Sequence, residues 1–495
     1  MSGKHSVPIR GLESAGTSPL FQGRFGRMFR SLPAARFGAS DDHNLAVLRK
    51  LGNAMSATFD GPKDGLDDEE SGIPALYTYL GQFIDHDITF DPESSLQKQN
   101  DPAGLTDFRT PAFDLDNVYG RGPDDQPYMY DGPAKFLLGE PISGGSPYAT
   151  DLVRSKNGRA LIGDPRNDEN SIVSQLQGLF ERFHNRVVSD HPHFEFHKVQ
   201  QFVRFHYQYI LLHDFLPRVV HSSVIQALQT AGNYDRRKLE FFHWKNDPFM
   251  PVEFSVAAYR LGHSMIRPSY RLNDKILLPI FPVLSHKLPE GLTGFRPMNP
   301  HWGIDWGRFI DIDIRTYNGT KEENKKRLQF AYRLDTSLVN PLHQLPVQVA
   351  ANPSSLAERN LIRGLRLGLP SGQDVARAMG VTPIADKDIL IGKALSPLPK
   401  KNILSVSEVF ADNCPLWTYI LAEAMRNQEP VKLPVKESVV IDTPRLGHVG
   451  GRIVAEVFLG LMFGDANSVL NINPNFAPMK PGFALKDLVS YALGH

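Results

Sequence analysis

Apolar side chains recur with the spacing of an α-helix over much of this chain. The longest such stretches are residues 75–88, 170–190, 196–220 and 251–266, and the last of them is stopped by Pro268. Three more helical patterns lie near the C-terminus, GQDVARAMG, PLWTYILAEAMRNQ and GGRIVAEVFLGLMFG, whereas strand patterns are few and short. We therefore predict a mainly α protein, in which one large helical domain carries long ordered loops.

The N-terminal part of the chain has a different character. Residues 1–40 are rich in Gly, Ser, Arg and Pro and contain the basic and aromatic segment FGRMFRSLPAARF, which is typical of a flexible arm. The helical pattern begins near Asn44, and neither an internal repeat nor a clear linker follows it. We predict a flexible N-terminal arm over residues 1–40 and a single domain over residues 41–490.

Charge and hydropathy exclude several classes of partner. The 495-residue chain carries 54 basic and 54 acidic side chains, a balance that argues against general binding of nucleic acid or of an anionic membrane. The longest apolar run, at residues 453–463, contains Glu456 and is too short to span a bilayer. The first residues lack the apolar stretch of a signal peptide, so we expect a cytoplasmic protein or export by a leaderless route.

Cysteine usage limits the metal chemistry that the chain could support. A single cysteine, Cys414, allows neither an intramolecular disulfide nor a Cys-rich metal site. Iron–sulfur clusters and structural zinc are therefore disfavoured, and the 17 histidines become the obvious pool of metal ligands.

One predicted helix contains a charged triplet, Asp85-His86-Asp87, between apolar residues. On a helix Gln82, Asp85 and His86 stand at positions i, i+3 and i+4 and share one face, while Asp87 points about a quarter turn away. The simplest interpretation of such a triplet is a salt-bridged helix end. The alternative is a site in which each charged residue has its own partner.

Three further stretches bear on that choice. In TPAFDLDNVYG, the alternating residues could direct oxygen atoms at one point, as a calcium ion requires, although an Asp-rich turn is the simpler interpretation. In GDPRNDEN, Arg166 and Glu169 stand three residues apart before a long helix. The simpler interpretation is an exposed capping segment, with Asp168 or Asn167 as the cap and Glu169 favourable near the helix N-terminus. In YRLGHSMIRP, His263 lies on an apolar helix, where a lone histidine is usually a buried structural residue. The alternating residues of the first stretch are Thr110, Ala112, Asp114 and Asp116.

Taken in order, these segments resemble the peroxidase–cyclooxygenase superfamily, also called the animal haem peroxidases. The resemblance rests on GQxxDHD at residues 81–87, TxxxDx(D/S)xVYG at 110–120, RxxE at 166–169, RxGH at 260–263 and NxxR at 360–363. It extends over roughly residues 45–465, and the short chain without a leader is typical of a bacterial-type member. The resemblance implies a single helical haem-peroxidase domain.

The resemblance also implies roles for individual residues on both sides of a haem b group. His263 would be the proximal iron ligand and Asn360 would accept its other ring N–H, with Arg260 and Arg363 also at the cofactor. On the distal side, His86 would take a proton from hydrogen peroxide and return it to the departing oxygen. Arg166 would stabilise the negative charge that develops, and Gln82 would lie near the halide position.

Two carboxylates and a calcium ion complete the implied site. Asp85 and Glu169 match the residues that form ester bonds to haem methyl groups in the family. Asp87 would bind calcium together with Thr110, the carbonyl of Ala112, Asp114 and Asp116. The chain departs from the family at Asn170, which excludes a sulfonium link, and at residues 365–368, which read LRLG where RDHG is usual.

The implied activity is reduction of hydrogen peroxide with oxidation of small organic donors, halide or thiocyanate, as in a response to oxidative stress. A fatty-acid dioxygenase of the same superfamily is the first alternative. It would need a tyrosine three residues before the proximal histidine, where this chain has Arg260, with Tyr259 one residue further back. The second alternative, a non-catalytic calcium-stabilised matrix or adhesion protein, is disfavoured because His86, Arg166 and His263 are all present.

Overall fold

The structure of the protein, a computed structural model, describes residues 25–57, 64–89, 111–146, 148–282, 290–347, 349–350, 352–395 and 400–494. Within these residues the longest helix has 20 residues, whereas the strands have five residues or fewer and pair two by two. The predicted mainly α fold is confirmed.

The helices are, in chain order, α1 Asp41–Ala54, α2 Leu76–Ile88, α3 Asp116–Tyr119, α4 Ser171–Asp190, α5 Phe196–Ile210, α6 Leu216–Val219, α7 Ser222–Ala227, α8 Val252–Val256, α9 Gly262–Met265, α10 Lys321–Asn324, α11 Leu356–Arg366, α12 Gly372–Ala378, α13 Ile403–Val406, α14 Leu416–Arg426, α15 His448–Gly464, α16 Val469–Ile472 and α17 Leu485–Leu493. The predicted helices at 75–88 and 170–190 match α2 and α4 within one residue.

The strands join distant parts of the chain as short ribbons. Two pairs are parallel, β1 (Phe25–Gly26) with β8 (Met250–Pro251) and β2 (Ser56–Ala57) with β12 (Leu338–Val339). The antiparallel pairs are β3 (Glu70–Pro74) with β11 (Phe330–Tyr332), β4 (Tyr130–Asp131) with β5 (Lys135–Phe136), β6 (Gln229–Thr230) with β7 (Asn233–Tyr234), β9 (Ser269–Arg271) with β10 (Leu277–Pro279), β13 (Leu390–Ile391) with β14 (Lys401–Asn402), and β15 (Gln428–Lys432) with β16 (Val440–Pro444).

The predicted continuous helix at 251–266 is wrong. The chain there forms α8, a 3₁₀ turn over Ala258–Leu261, and α9. The break falls at Ala257, whose φ of −125° and ψ of −73° lie outside the helical region. His263 is therefore held by a short helical turn rather than by a long helix.

The core is built around α15, whose residues from Val449 to Met462 are all buried. This helix packs against α14, α8 and the Ala258–Leu261 turn, while α4 packs against α2, α5 and α17. Among the described residues, the helices are all too short or too polar to cross a bilayer.

Aromatic contacts fix helix α2 against α4. The ring of Phe83 stacks on Phe180 with 4.5 Å between the ring centroids, and Tyr207 of α5 meets both rings edge-on. The side-chain amide of Asn117 donates to the carbonyl of Phe83 at 3.1 Å. The polar face of α2 is thus held in one orientation towards the loop that precedes α4.

The last part of the predicted N-terminal arm packs on the domain. Phe29 and Phe37 are buried, and Arg27 donates to the carbonyl of Gly368 at 3.0 Å. The backbone N–H of Met28 donates to Glu253 at 3.1 Å. These contacts extend the packed domain to before residue 40, whereas residues 1–24 of the predicted arm lie outside the described residues.

Candidate active site

His86 lies near the C-terminal end of α2 and is buried, with 4% of its surface exposed. Its Nδ1 is 2.8 Å from Oδ1 of Asn167, and its Nε2 is 3.3 Å from Oε1 of Glu169. Both partners come from the loop between residues 163 and 170. Each ring nitrogen of His86 therefore faces a side-chain oxygen of this loop.

Gln82 stands one helical turn before His86 and joins the same group. Its amide nitrogen donates to Glu169, and its amide oxygen accepts from the side chain of Asn170 at 3.0 Å. Asn170 also caps α4, because its Oδ1 accepts from the backbone N–H of Ile172 and Val173. The predicted cap at Asp168 or Asn167 is wrong, because Asn170 caps this helix.

Arg166 binds the end of α2 and a neighbouring carboxylate. Its Nη2 lies 2.8 Å from Oδ2 of Asp164, a fully buried carboxylate, and donates to the carbonyl oxygens of His86, at 3.1 Å, and Thr89. The guanidinium is 24% exposed. Arg166 thus fixes its loop to the helix that carries His86.

His263 has a partner of a different kind. Its Nδ1 is 2.8 Å from the amide nitrogen of Asn360 on α11, and the amide oxygen of Asn360 accepts from Arg260 at 3.2 Å. Burial, together with the positive charge of Arg260, lowers the pKa of His263 to about 3. The imidazole is therefore neutral at ordinary pH, which is the form that binds a metal.

The charge of Asp85 acts on the segment that carries His263. Burial raises the pKa of the Tyr259 hydroxyl, and the charge of Asp85 raises it further. Burial lowers the pKa of Arg260 to about 10, and the charge of Asp85 partly offsets this effect. The Tyr259 hydroxyl donates to the carbonyl of Gly81 on α2 at 3.2 Å. The two carboxylates predicted to bind the cofactor thus act on different neighbours, Asp85 on Tyr259 and Arg260 and Glu169 on Gln82 and His86.

A cluster of three carboxylates lies on the other side of α2. One oxygen each from Asp87, Asp114 and Asp116 lie within 4.8 Å of one another, with Asp87 buried and the other two partly buried. Burial has the largest effect in raising the pKa of Tyr207, and the charges of Asp87 and Asp114 raise it further. Ala112, two residues before Asp114, is buried. Thr110 lies outside the described residues. The spacing of oxygens fits a hard divalent cation such as calcium.

Sequence patterns did not reveal the residues behind His86. The side-chain amide of Asn167 donates to Gln177 at 2.8 Å, and Gln177 donates to Glu181 at 2.8 Å. Gln177 and Glu181 are four residues apart on α4, so their contact could have been foreseen. Their connection to His86 could not, because it depends on how α2 packs against α4.

Arg363 lies on α11, and its positive charge lowers the pKa of Arg260.

A neutral histidine whose second ring nitrogen meets a side-chain amide, as His263 does, can serve as a ligand of haem iron. The family model of the animal haem peroxidases matches residues 106–390, more than half of the chain. This chain belongs to the animal haem peroxidase family. The predicted family is confirmed, and its bacterial type stays a prediction.

Known relatives match parts of this chain or its fold. Peroxidasin of Drosophila melanogaster is 24% identical over 269 residues, which are 52% of this chain but 16% of peroxidasin. Peroxidase A of Dictyostelium discoideum superposes with a TM-score of 0.56 at 15% identity, covering 96% of this chain and 98% of the other. A fatty acid alpha-dioxygenase of Arabidopsis thaliana gives a TM-score of 0.54 at 14% identity, covering 95% of this chain and 77% of the other. At these identities the structural likeness shows the fold alone.

Proposed function

We propose that this protein is a haem-dependent peroxidase that reduces hydrogen peroxide and oxidises small organic donors, halide or thiocyanate. One observation favours a peroxidase over a dioxygenase. The third residue before His263 is Arg260, and Arg260 donates to Asn360, the partner of that histidine. A tyrosyl radical enzyme of the superfamily would need a phenol at this position.

Tyr259 is a poor substitute for that phenol. Its hydroxyl donates to a backbone carbonyl of α2, and its ring stacks on Phe254 with 4.7 Å between the centroids. Burial and the charge of Asp85 raise its pKa well above the usual value, so it keeps its proton. These contacts favour a structural function for Tyr259.

The residues on the His263 side fit a haem group. The neutral imidazole of His263 would bind the iron through Nε2, with Asn360 as the acceptor for Nδ1–H. That bond needs the amide oxygen of Asn360 towards Nδ1, a half turn from the orientation described above, so the contact of Arg260 with this oxygen would be lost when the cofactor binds. Arg260 is suited to an anionic group of the cofactor, because its buried Nε has no hydrogen-bond acceptor among the described residues. When bound, the haem supplies the two-electron reduction of peroxide.

His86 would handle the proton of the peroxide. Its Nε2 would accept a proton from one peroxide oxygen and deliver it to the other, which then leaves as water. Its Nδ1 would keep its own proton, held by Asn167. Arg166 would stabilise negative charge at the same place and keep α2 in position through its carbonyl contacts. Gln82 would orient Glu169 beside His86.

The remaining carboxylates have proposed partners of their own. Asp87, Asp114 and Asp116, with the Ala112 carbonyl and Thr110, would bind one calcium ion. Two further carboxylates, Asp85 and Glu169, would form ester bonds to the cofactor. The charged triplet of α2 would then serve the cofactor edge, the peroxide and the calcium ion in turn.

Absorption spectra and oxygen uptake test this proposal together. Purified protein loaded with haem should show a Soret band that shifts within seconds of adding a small excess of peroxide, and a donor such as guaiacol or thiocyanate should return it. Haem-loaded protein given palmitic acid and a trace of peroxide, enough to form a tyrosyl radical in a dioxygenase, should consume no oxygen. An unchanged Soret band would refute the peroxidase, and oxygen uptake with the fatty acid would favour the dioxygenase.

A further inference from the structure

A buried chain of hydrogen bonds connects His86 with a carboxylate deep in the protein. It runs from Nδ1 of His86 to Oδ1 of Asn167, from Nδ2 of Asn167 to Oε1 of Gln177, and from Nε2 of Gln177 to Oε1 of Glu181. Each of the three distances is 2.8 Å. Asn167 and Gln177 are fully buried, and Glu181 is 4% exposed.

The chemistry at the far end sets the direction of every bond in this chain. A carboxylate only accepts, so Glu181 requires the NH₂ group of Gln177 to face it. The oxygen of Gln177 then faces Asn167 and draws the NH₂ group of Asn167 towards itself. The oxygen of Asn167 is left for His86, where it accepts only from a protonated Nδ1.

A second carboxylate acts on the other nitrogen of the same ring. Before the proposed ester bond forms, Glu169 is a free carboxylate 3.3 Å from Nε2 and would draw the single proton of a neutral imidazole to that side. With the proton on Nε2, His86 could not accept a proton from peroxide. The direction of the buried chain therefore opposes the direct contact with Glu169.

We propose that Glu181, acting through Gln177 and Asn167, is a positioning residue that keeps a proton on Nδ1 of His86 and leaves Nε2 to exchange protons with peroxide. This inference rests on the proposed peroxidase function. A base whose far nitrogen is oriented by a third group is a recurring arrangement in catalysis, and here two amides extend it into the core.

The surroundings of Glu181 suit such a function. Burial raises the pKa of its carboxyl to about 7, while the Gln177 amide and the charge of Arg182 act in the opposite direction. Tyr130 on β4 is the other titratable group affected by its charge. Above neutral pH the carboxylate is charged and acts only as an acceptor.

The test locates the proton on His86 by nitrogen NMR. Ring-¹⁵N-labelled histidine is incorporated, the haem protein is studied as its diamagnetic ferrous carbon monoxide complex at about pH 8, and His86→Gln identifies the signal. The parent should carry a proton on Nδ1. Glu181→Leu and Gln177→Leu should lose that proton to Nε2, and their Soret change with peroxide should slow by about 10- to 100-fold.

Two further variants separate positioning from general damage. Glu423→Gln is a matched control, because burial also raises the pKa of Glu423 to about 7, but this carboxylate accepts backbone N–H groups of α15. It should change neither the nitrogen signals nor the rate. Asn167→Asp in a Glu181→Gln background places an acceptor-only group directly at Nδ1 and should restore both.

The outcomes distinguish this inference from the peroxidase proposal. If the parent binds haem and reacts with peroxide, but Nδ1 carries no proton, the positioning function is wrong and the peroxidase stands. The same conclusion follows if Nδ1 keeps its proton in both leucine variants. If the parent shows no Soret change with peroxide, the peroxidase proposal itself fails.

Discussion

His86 and His263 have the same first neighbour and different second neighbours. Each has an asparagine side-chain atom 2.8 Å from its Nδ1. Behind Asn167 stand Gln177 and the carboxylate of Glu181, whereas behind Asn360 stands the guanidinium of Arg260. An asparagine contact alone therefore does not set the function of a histidine, since a carboxylate stands behind one amide and a guanidinium behind the other.

The backbone around the two histidines differs as well. His86 lies on a helix of 13 residues that is fixed by stacked aromatic rings, while His263 lies on a four-residue turn after a non-helical break. A rigid helix suits a group that must present a nitrogen to a small molecule repeatedly. The imidazole of His263 is neutral, which is the form that a metal ion binds.

The largest effect is expected at His263. His263→Ala should leave the protein without bound haem, because it removes the neutral nitrogen ligand. Haem content per folded chain, from the Soret and pyridine-haem spectra, measures this. His206→Ala is the control, since burial also lowers the pKa of that histidine, to about 4, yet its Nδ1 lies against the carbonyl of Phe202. Equal haem content in the two variants would contradict the assignment.

Replacement of His86 should leave the haem in place and slow its reaction. His86→Ala should reduce the rate of the Soret change with peroxide at least ~100-fold, the usual scale for losing a positioned acid–base group. Arg166→Gln should cost a similar factor through lost charge stabilisation. Stopped-flow absorption measures both. A variant that binds haem and reacts at the parent rate would remove that residue from the distal site.

The two proposed ester partners belong to different sides of this comparison, since the charge of Asp85 acts on Arg260 and Glu169 lies beside His86. After treatment with a small excess of peroxide, haem should resist extraction into acidified solvent in the parent. Asp85→Val should leave one attachment, and the double variant with Glu169→Gln should leave none. Mass mapping of haem-bearing peptides gives the result. Free extraction from the treated parent would end the ester proposal without affecting the peroxidase.

The smallest effect is expected from calcium removal. A chelator should lower Tm by about 3 °C, from a loss of about 2.7 kcal/mol at a ligand concentration of 100 Kd and an unfolding entropy of about 2.1 cal/mol/K per residue. Because Asp87 adjoins His86 on α2, the peroxide reaction should slow while iron ligation stays intact. Asp116→Asn should abolish the response to the chelator. If neither the chelator nor Asp116→Asn changes Tm, a bound cation is excluded.

Patterns in the sequence predicted the features that depend on local spacing. The bounds of α2 and α4 and the common face of Gln82 and His86 follow from periodicity within single elements. The approach of Asp87 to Asp114 and Asp116 was implied by the family resemblance and not by periodicity. The break at Ala257 escaped prediction because apolar spacing continues through it. A periodic pattern reports which residues are buried, and it does not report a change in backbone angles.

Features that depend on packing between elements could not be predicted. Asp85 shares a helix face with His86, yet its neighbours come from the Ala258–Leu261 turn. The chain from Asn167 to Glu181 reaches His86 only because α2 and α4 are in contact. Arg166 was expected at the peroxide, and its carbonyl contacts with α2 add a function that spacing does not reveal.

Resonance Raman spectra of the ferrous haem protein test most directly whether the two histidines have opposite functions. The parent and His86→Gln should both show the iron–imidazole stretching band, and His263→Gln should lack it. If the band survives in His263→Gln, or disappears in His86→Gln while haem is retained, the assignment of the two histidines is reversed or wrong.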